Sequence, residues 1–280
     1  MYDIQEKIEL LREYFKTSTV EMAFLFGSFA KNNPTEESDI DIAIYLRPQG
    51  TAIEWESDTI YQQEDKIWED VEKITGKEVD LVVLNRAPSI LALEILRTGI
   101  QLVNNDILYS KFLSRISYEA IDLMNTLNDW YAIRQRSASL NEIDRQRLLR
   151  LIDFLEREIP DKTLFEGLVW QTYQNDSSKR RNIERWVENL VNSSIDISKI
   201  LLASEKKPVP DTYREMLKNL ALLHNFNEQV ALQLSSFTKL RNILAHEYLD
   251  IRFNQIEKFL KNFEPAFATL LDFTKEFLKK

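Results

Sequence analysis

FGSFAKNNPTEESDIDIAIYL, residues 26–46, decides how the first half of this chain is read. A Gly27-Ser28 pair closes the apolar run EMAFLF (21–26), and ten residues later Asp39-x-Asp41 opens the alternating run DIDIAIYL (39–46). Two-residue alternation marks a strand, with Asp39 and Asp41 on one face and Ile40 and Ile42 on the other. Gly27 and Ser28 fall where a strand meets a helix. Bare backbone there can approach a phosphate, and helix-start N–H groups and the serine hydroxyl can hold it. Two neighbouring carboxylates repel and call for a cation, and magnesium suits an all-oxygen site that also takes phosphate oxygens and water. A third carboxylate, Asp80, lies in EVDLVVLN (78–85), read as a further strand, and could accept the proton of an attacking hydroxyl. Each part alone is weak; all three, in order on strands, are specific.

Working outward, four of the five glycines lie in the first hundred residues and the last 113 residues have none, which predicts turn-rich α/β structure followed by helices. A helix is expected from about Ala52 to Thr75, with Gly76 at its C-cap. Another is expected from Pro88 to Gly99, and IQLV (100–103) as a last short strand. From Asp106 onward the period is helical throughout. Tyr109 to Arg136 is expected to close the first domain, and SASLN (137–141) is the candidate junction. Helices are then expected around 142–158, 161–174, 177–204, 211–223, 227–248 and 253–278, with Pro265 able to kink the last. The expected domains are 1–137 and 138–280. No repeat of fixed period and no low-complexity tract is visible.

Composition narrows the function classes. The 280 residues, 44% hydrophobic, can fill two ordinary cores, and the absence of cysteine excludes disulfides, thiolate metal sites and cysteine nucleophiles. No apolar run approaches the roughly 18 residues that span a bilayer, and residues 1–15 read as a charged amphipathic segment, so a cytoplasmic protein without a membrane partner is expected. Through Arg136 there are 14 Lys and Arg against 24 Asp and Glu, net −10, whereas the remainder is near neutral at +1. An acidic first half argues against a broad nucleic-acid surface there; Lys179, Arg180, Arg181 and Arg185 form a local basic cluster in the second. Its plain alternative is a solvated helix face.

The stretch RNILAHEY (241–248) carries one of only two histidines. On a helix Arg241 and Tyr248, seven apart, share a face, and Asn242 and His246, four apart, are neighbours. Arg241 and His246 lie about 140° apart, so either the helix ends near His246 or a second copy completes the site. A metal-free ribonuclease can use the substrate's 2′-hydroxyl as nucleophile, imidazole for proton transfer and guanidinium for the phosphorane charge. A helix-terminal histidine with an arginine ion pair is the plain alternative. His224 has no such context and is expected to be structural or at the surface.

Gly27-Ser28, Asp39-x-Asp41 and Asp80 resemble the signature of the polymerase-β-like nucleotidyltransferase superfamily, particularly its minimal nucleotidyltransferases, over about residues 20–105. Lys31-Asn32 stands where that family usually has Arg-Gly; Lys31 keeps the charge, and Asn32 tolerates left-handed angles. The resemblance implies Asp39 and Asp41 as magnesium ligands, Asp80 as ligand or base, Gly27 and Ser28 on the phosphates of ATP, and Lys31 in support. Residues from about Asn182 to Phe259 resemble toxin-like HEPN domains, antiparallel helical bundles marked by Arg, a polar residue and, after several others, His. The domain core would span about 177–278. Tyr248 completes R-x4-H-x-Y, the form seen in HEPN toxins whose partner nucleotidyltransferase transfers AMP onto that tyrosine and silences the nuclease. The two resemblances together imply an α/β domain with a mixed sheet, then an all-α HEPN-like bundle: toxin and antitoxin in one chain. They further imply Arg241 and His246 as the ribonuclease pair with Asn242 in support, Tyr248 as the modified residue, RNA as substrate with tRNA among the candidates, and a homodimer. The alternative is a small-molecule nucleotidyltransferase, similar to aminoglycoside-modifying enzymes, whose helical domain binds the acceptor and whose acidic half attracts a cationic substrate.

Overall fold

A computed structural model describes residues 4–35, 37–48, 53–136, 140–246 and 253–279. These residues divide into two compact units, Met1–Asp122 and Leu123–Lys280. Among them no helix is long and apolar enough to cross a membrane.

The first unit is built on strands β1 (Val20–Phe26), β2 (Ile40–Leu46), β3 (Val79–Val83) and β4 (Ile100–Val103), in the order β3-β2-β1-β4. β1 pairs antiparallel with β2 and β4, and β2 pairs parallel with β3, so the sheet is mixed. Alternation sorts β2 as the sequence requires: Ile40, Ile42 and Ile44 pack on one face with Ile8, Leu11 and Phe15 of α1 (Ile4–Thr17) and with Ile67 and Val71 of α3 (Glu64–Thr75). Ala43 and Tyr45 pack on the other with Leu93 and Leu96 of α4 (Ser89–Thr98) and Phe112 and Ile116 of α5 (Asp106–Arg136). α2 is the single turn Gly27–Ala30 between β1 and β2.

The helix expected from Ala52 starts only at Glu64, although Gly76 does cap it in the left-handed conformation, its N–H donating to the Glu72 carbonyl at 2.7 Å. Upstream, the chain is held in irregular form by tertiary hydrogen bonds. The Glu54 N–H donates to the Tyr45 hydroxyl at 2.8 Å and the Ser57 N–H to the Asn85 carbonyl at 3.0 Å. The Tyr61 hydroxyl donates to the Glu54 carboxylate and accepts from Asn85 Nδ2 at 3.0 Å. Such bonds replace the i→i−4 ladder that composition favours.

Among its described residues the second unit is built of helices and turns, without strands. α6 (Glu142–Glu158), α8 (Ser177–Ser204), α9 (Tyr213–Lys218) and α10 (Glu228–Ser236) open with Asn141, Asp176, Thr212 and Asn227, whose side chains accept N–H groups of the first turn. α8 is buried almost throughout its second half. α12 (Phe253–Phe277) runs through Pro265 and lays Phe259, Phe263 and Phe267 into the core, with Trp186 of α8 edge-on to Phe263 at 5.2 Å. The expected helix 161–174 is instead a 3-10 turn, Ile159–Phe165, and a short α7 (Trp170–Asn175), separated by Gly167 at a φ of +71°. The expected helix 211–223 tightens into a 3-10 turn after Lys218. The expected helix 227–248 is broken at Phe237 into α10 and α11 (Thr238–His246). There the hydroxyls of Ser235, Ser236 and Thr238 bond back to carbonyls three residues earlier and draw them off the ladder.

Candidate functional site

In the first unit the parallel register sets Asp41 across from Asp80, and the antiparallel register sets Asp41 across from Phe26, the residue before Gly27. Side chains of in-register neighbours leave the same face of a sheet, so the two carboxylates emerge side by side next to the Gly27-Ser28 turn. Gly27 has a φ of +68°, and a Cβ there would lie 2.0 Å from Asp41 Oδ2. The Ser28 N–H donates a hydrogen bond to the Asp41 carboxylate, as does Asp41's own amide. Burial, then the charges of Asp80 and Asp39, nevertheless push the Asp41 carboxyl above its usual range. Asp39, just before β2, and Asp80 are both exposed. This is an anionic group whose charges oppose one another, and an all-oxygen donor set of that kind fits a hard divalent cation. Among the described residues no three His, Cys, Asp or Glu side chains already converge closely enough to hold a metal ion. The fit therefore lies in donor chemistry and charge, not in a preformed cage.

Lys31 pairs with Glu94 at 3.0 Å, and its N–H closes the α2 turn on the Gly27 carbonyl at 3.2 Å. Asn32 takes a φ of +54°, the left-handed geometry that asparagine accommodates well. Lys77 donates to the Ser38 carbonyl at 3.0 Å, in the peptide just before Asp39, and lies 5.7 Å from the Phe29 ring centre. It is a cation at the rim of the site that no local pattern in the sequence announces.

In the second unit Arg241 is buried on α11. Its Nε donates to Asn192 Oδ1 of α8 at 2.9 Å and its Nη1 to Asn242 Oδ1 at 3.3 Å, while the guanidinium lies 4.9 Å from the Tyr213 ring of α9. Tyr213 in turn shares a 3.0 Å hydrogen bond with Thr126. Two amide oxygens and an aromatic face orient the guanidinium without themselves cancelling its charge. Asn192 and Tyr213 were not identifiable from the sequence, because they are 49 and 28 residues from Arg241 and carry no motif. His246 is the last described residue of α11. Tyr248 lies outside the described residues. His224 is exposed.

The first unit is thus a mixed-sheet α/β domain with paired carboxylates beside the Gly27-Ser28 turn, and the second is a helical domain that carries the R-x4-H helix. Residues 9–108 match the family model for polymerase beta nucleotidyltransferases, and residues 147–273 match that for HepT-like ribonucleases. The chain thus joins a polymerase-β nucleotidyltransferase domain to a HepT-like HEPN domain, and its general kind is that of an enzyme. No curated protein matches it. Solved structures that resemble parts of it include a toxin–antitoxin with AMP-PNP, at 20% identity over 44% of this chain and 96% of that chain, with a TM-score of 0.33. Another is the tri-AMPylated Shewanella oneidensis HEPN toxin in complex with MNT antitoxin, at 19% identity over 44% and 97%, with a TM-score of 0.30.

Proposed function

We propose that this chain is a self-contained toxin–antitoxin-type protein, in which the first domain transfers AMP from ATP to Tyr248 of the second and silences a metal-independent ribonuclease built on Arg241 and His246. The observation that carries the reading is the in-register Asp41–Asp80 pair beside Gly27 and Ser28, in a chain whose HepT-like domain bears R-x4-H-x-Y. The Tyr248 hydroxyl oxygen attacks the α-phosphorus; a new P–O bond forms as the bond to pyrophosphate breaks, and the phenolic proton passes to Asp80. Ser28 and the backbone at Gly27 hold phosphate oxygens. Asp39 and Asp41, with Asp80 as third ligand or base, are the residues that would hold magnesium, which when bound supplies neutralisation of the triphosphate charge.

In the nuclease the RNA 2′-oxygen attacks the adjacent phosphorus as the bond to the 5′-oxygen breaks, leaving a 2′,3′-cyclic phosphate and a 5′-hydroxyl. His246 moves the proton between the 2′-hydroxyl and the departing oxygen, and Arg241 offsets the charge of the phosphorane. An AMP on Tyr248 adds an anion and a nucleoside to the R-x4-H-x-Y segment, and these compete with RNA for the guanidinium. The wide angle between Arg241 and His246 favours a homodimer in which two copies complete one cleft, working in the cytoplasm.

The test is incubation of the purified chain with ATP labelled at the α-phosphate. Label on the parent and none on Tyr248→Phe, with RNA cleavage in EDTA suppressed by ATP pretreatment in the parent alone, is the expected result. Label that appears only after an aminoglycoside is added, and on that molecule, would replace this reading with the small-molecule one.

A further inference from the structure

The cationic opening of α8 is used by neither reaction above. Lys179, Arg181 and Arg185 are exposed, and Arg180 donates to the Gln174 carbonyl at 3.2 Å. Arg185 pairs with Glu188 at 3.0 Å, whereas Lys179 and Arg181 make no ion pair among the described residues. Cations at a helix start oppose the helix dipole, so helix stability does not explain them. Asp176, capping the Ser178 and Lys179 N–H groups at 3.0 Å, offsets that cost.

The arrangement of α8 connects this cluster to Arg241. Ile183, Trp186, Val187 and Leu190 face the core. Arg181, Arg185, Glu188 and Asn192 follow one another at spacings of four, three and four and so lie on one outer stripe. Asn192, which holds Arg241, is eleven residues beyond Arg181, about 16 Å along the helix axis. Beside the stripe, the Tyr173 hydroxyl donates to Glu184 at 2.6 Å and fastens α7 to α8. On α7, Trp170 stays 51% exposed although it stacks on Tyr173 at 5.9 Å and meets Phe253 at the same distance. A half-exposed indole with a rigid aromatic backing, on a helix fastened to one that exposes Arg181 and Arg185, has the composition of a base-stacking platform.

We propose that Trp170 with Arg181 and Arg185 binds single-stranded RNA and leads it along α8 toward Arg241. The proposal rests on the ribonuclease reading of this domain and adds to it the form of the substrate and its path. Phosphates engage the cations, and an unpaired base stacks on the indole. A duplex keeps its bases stacked internally and offers the indole no face.

The test is fluorescence anisotropy of a labelled short RNA, single-stranded or annealed to its complement, in EDTA, with the full chain carrying His246→Ala to prevent cleavage. The single strand is expected to bind more tightly than the duplex. Arg181→Glu with Arg185→Glu should weaken binding at least tenfold at low salt and flatten its salt dependence. Trp170→Ala should weaken it by about five- to hundredfold, and Trp170→Phe should restore most of the loss. Melting curves of each variant separate a lost surface from a lost fold, and the charge reversals, at exposed positions, leave the aromatic cluster intact. Binding by folded variants within twofold of the parent, a duplex bound as tightly as the single strand, or polyglutamate competing as well as RNA would overturn the proposal. RNA held by this surface in the predicted manner but never cut by the unmodified chain would instead refute the ribonuclease reading alone.

Discussion

Replacing Gly27 with alanine tests the nucleotide site at its tightest point. The added Cβ would lie 2.0 Å from Asp41 Oδ2, 2.6 Å from its carboxyl carbon and 3.1 Å from its Cβ. At a φ of +68° alanine also carries a left-handed backbone cost of about 1 kcal/mol. Relief requires either the α2 turn or the Asp41 carboxylate to move, and forcing a methyl group into so close a contact costs about 1–3 kcal/mol. The expected loss of stability is therefore about 2–4 kcal/mol. A carboxylate displaced by roughly 1 Å should lower nucleotidyl transfer about a hundredfold. Urea denaturation measures the first quantity and transfer of labelled AMP the second. Gly76→Ala is the matched control: its φ is +69°, yet nothing lies within 4 Å of the added Cβ. It should lose only the backbone cost and leave transfer unchanged. Parent-like transfer by Gly27→Ala, or an equal loss from Gly76→Ala, would refute this account of why glycine stands at 27.

Three further outcomes are expected. Asp41→Asn removes the charge that Asp80 and Asp39 oppose, so its melting temperature in EDTA should equal or exceed the parent's while transfer falls by orders of magnitude; a large fall in melting temperature would contradict the repulsion inferred here. Asn192→Ala frees the Arg241 guanidinium from its 2.9 Å anchor and should lower RNA cleavage in EDTA about tenfold, a loss Arg241→Lys should not evade because lysine lacks the planar fork; cleavage unchanged in both variants would remove Arg241 from the mechanism. Asp129 is hydrogen-bonded by Arg147 at 2.5 Å and Lys199 at 2.9 Å. Burial acts to raise its carboxyl pKa, but those bonds and charges outweigh burial and hold it at about 2, below the ordinary 3.8. A depressed pKa stabilises the fold above the unfolded value and is lost as pH falls through the folded one. Allowing for partial exposure, this contribution is on the order of 1–2 kcal/mol. Urea denaturation from about pH 4 to pH 2 should show that extra loss in the parent and not in Asp129→Asn; parallel curves would count against it.

Much of the molecule follows from local chemistry. The strands at 20–26, 40–46, 79–83 and 100–103 were legible because alternation and apolar runs set their faces whatever they pair with. The turn at Gly76, the left-handed Asn32 and the long helices α5, α6, α8 and α12 were legible for the same reason: their determinants lie within a few residues of one another. That Gly27-Ser28 ends one strand and Asp39-x-Asp41 opens the next was legible in the same way. Register was not. That Asp41 stands opposite Asp80, 39 residues later, depends on β3 lying parallel beside β2, and that Gly27 must be glycine depends on how closely Asp41 then approaches it. Tertiary hydrogen bonds from Tyr45 and Asn85 also overrode the helical preference upstream of Glu64. The R-x4-H string announced Arg241 but not the Asn192 and Tyr213 that orient it, since neither residue is unusual until α8 and α9 are packed against α11. Sequence by itself determined the elements and the chemical groups they carry, because propensity and period act over a few residues. Only the tertiary structure decided which groups meet, because packing and strand pairing act across dozens.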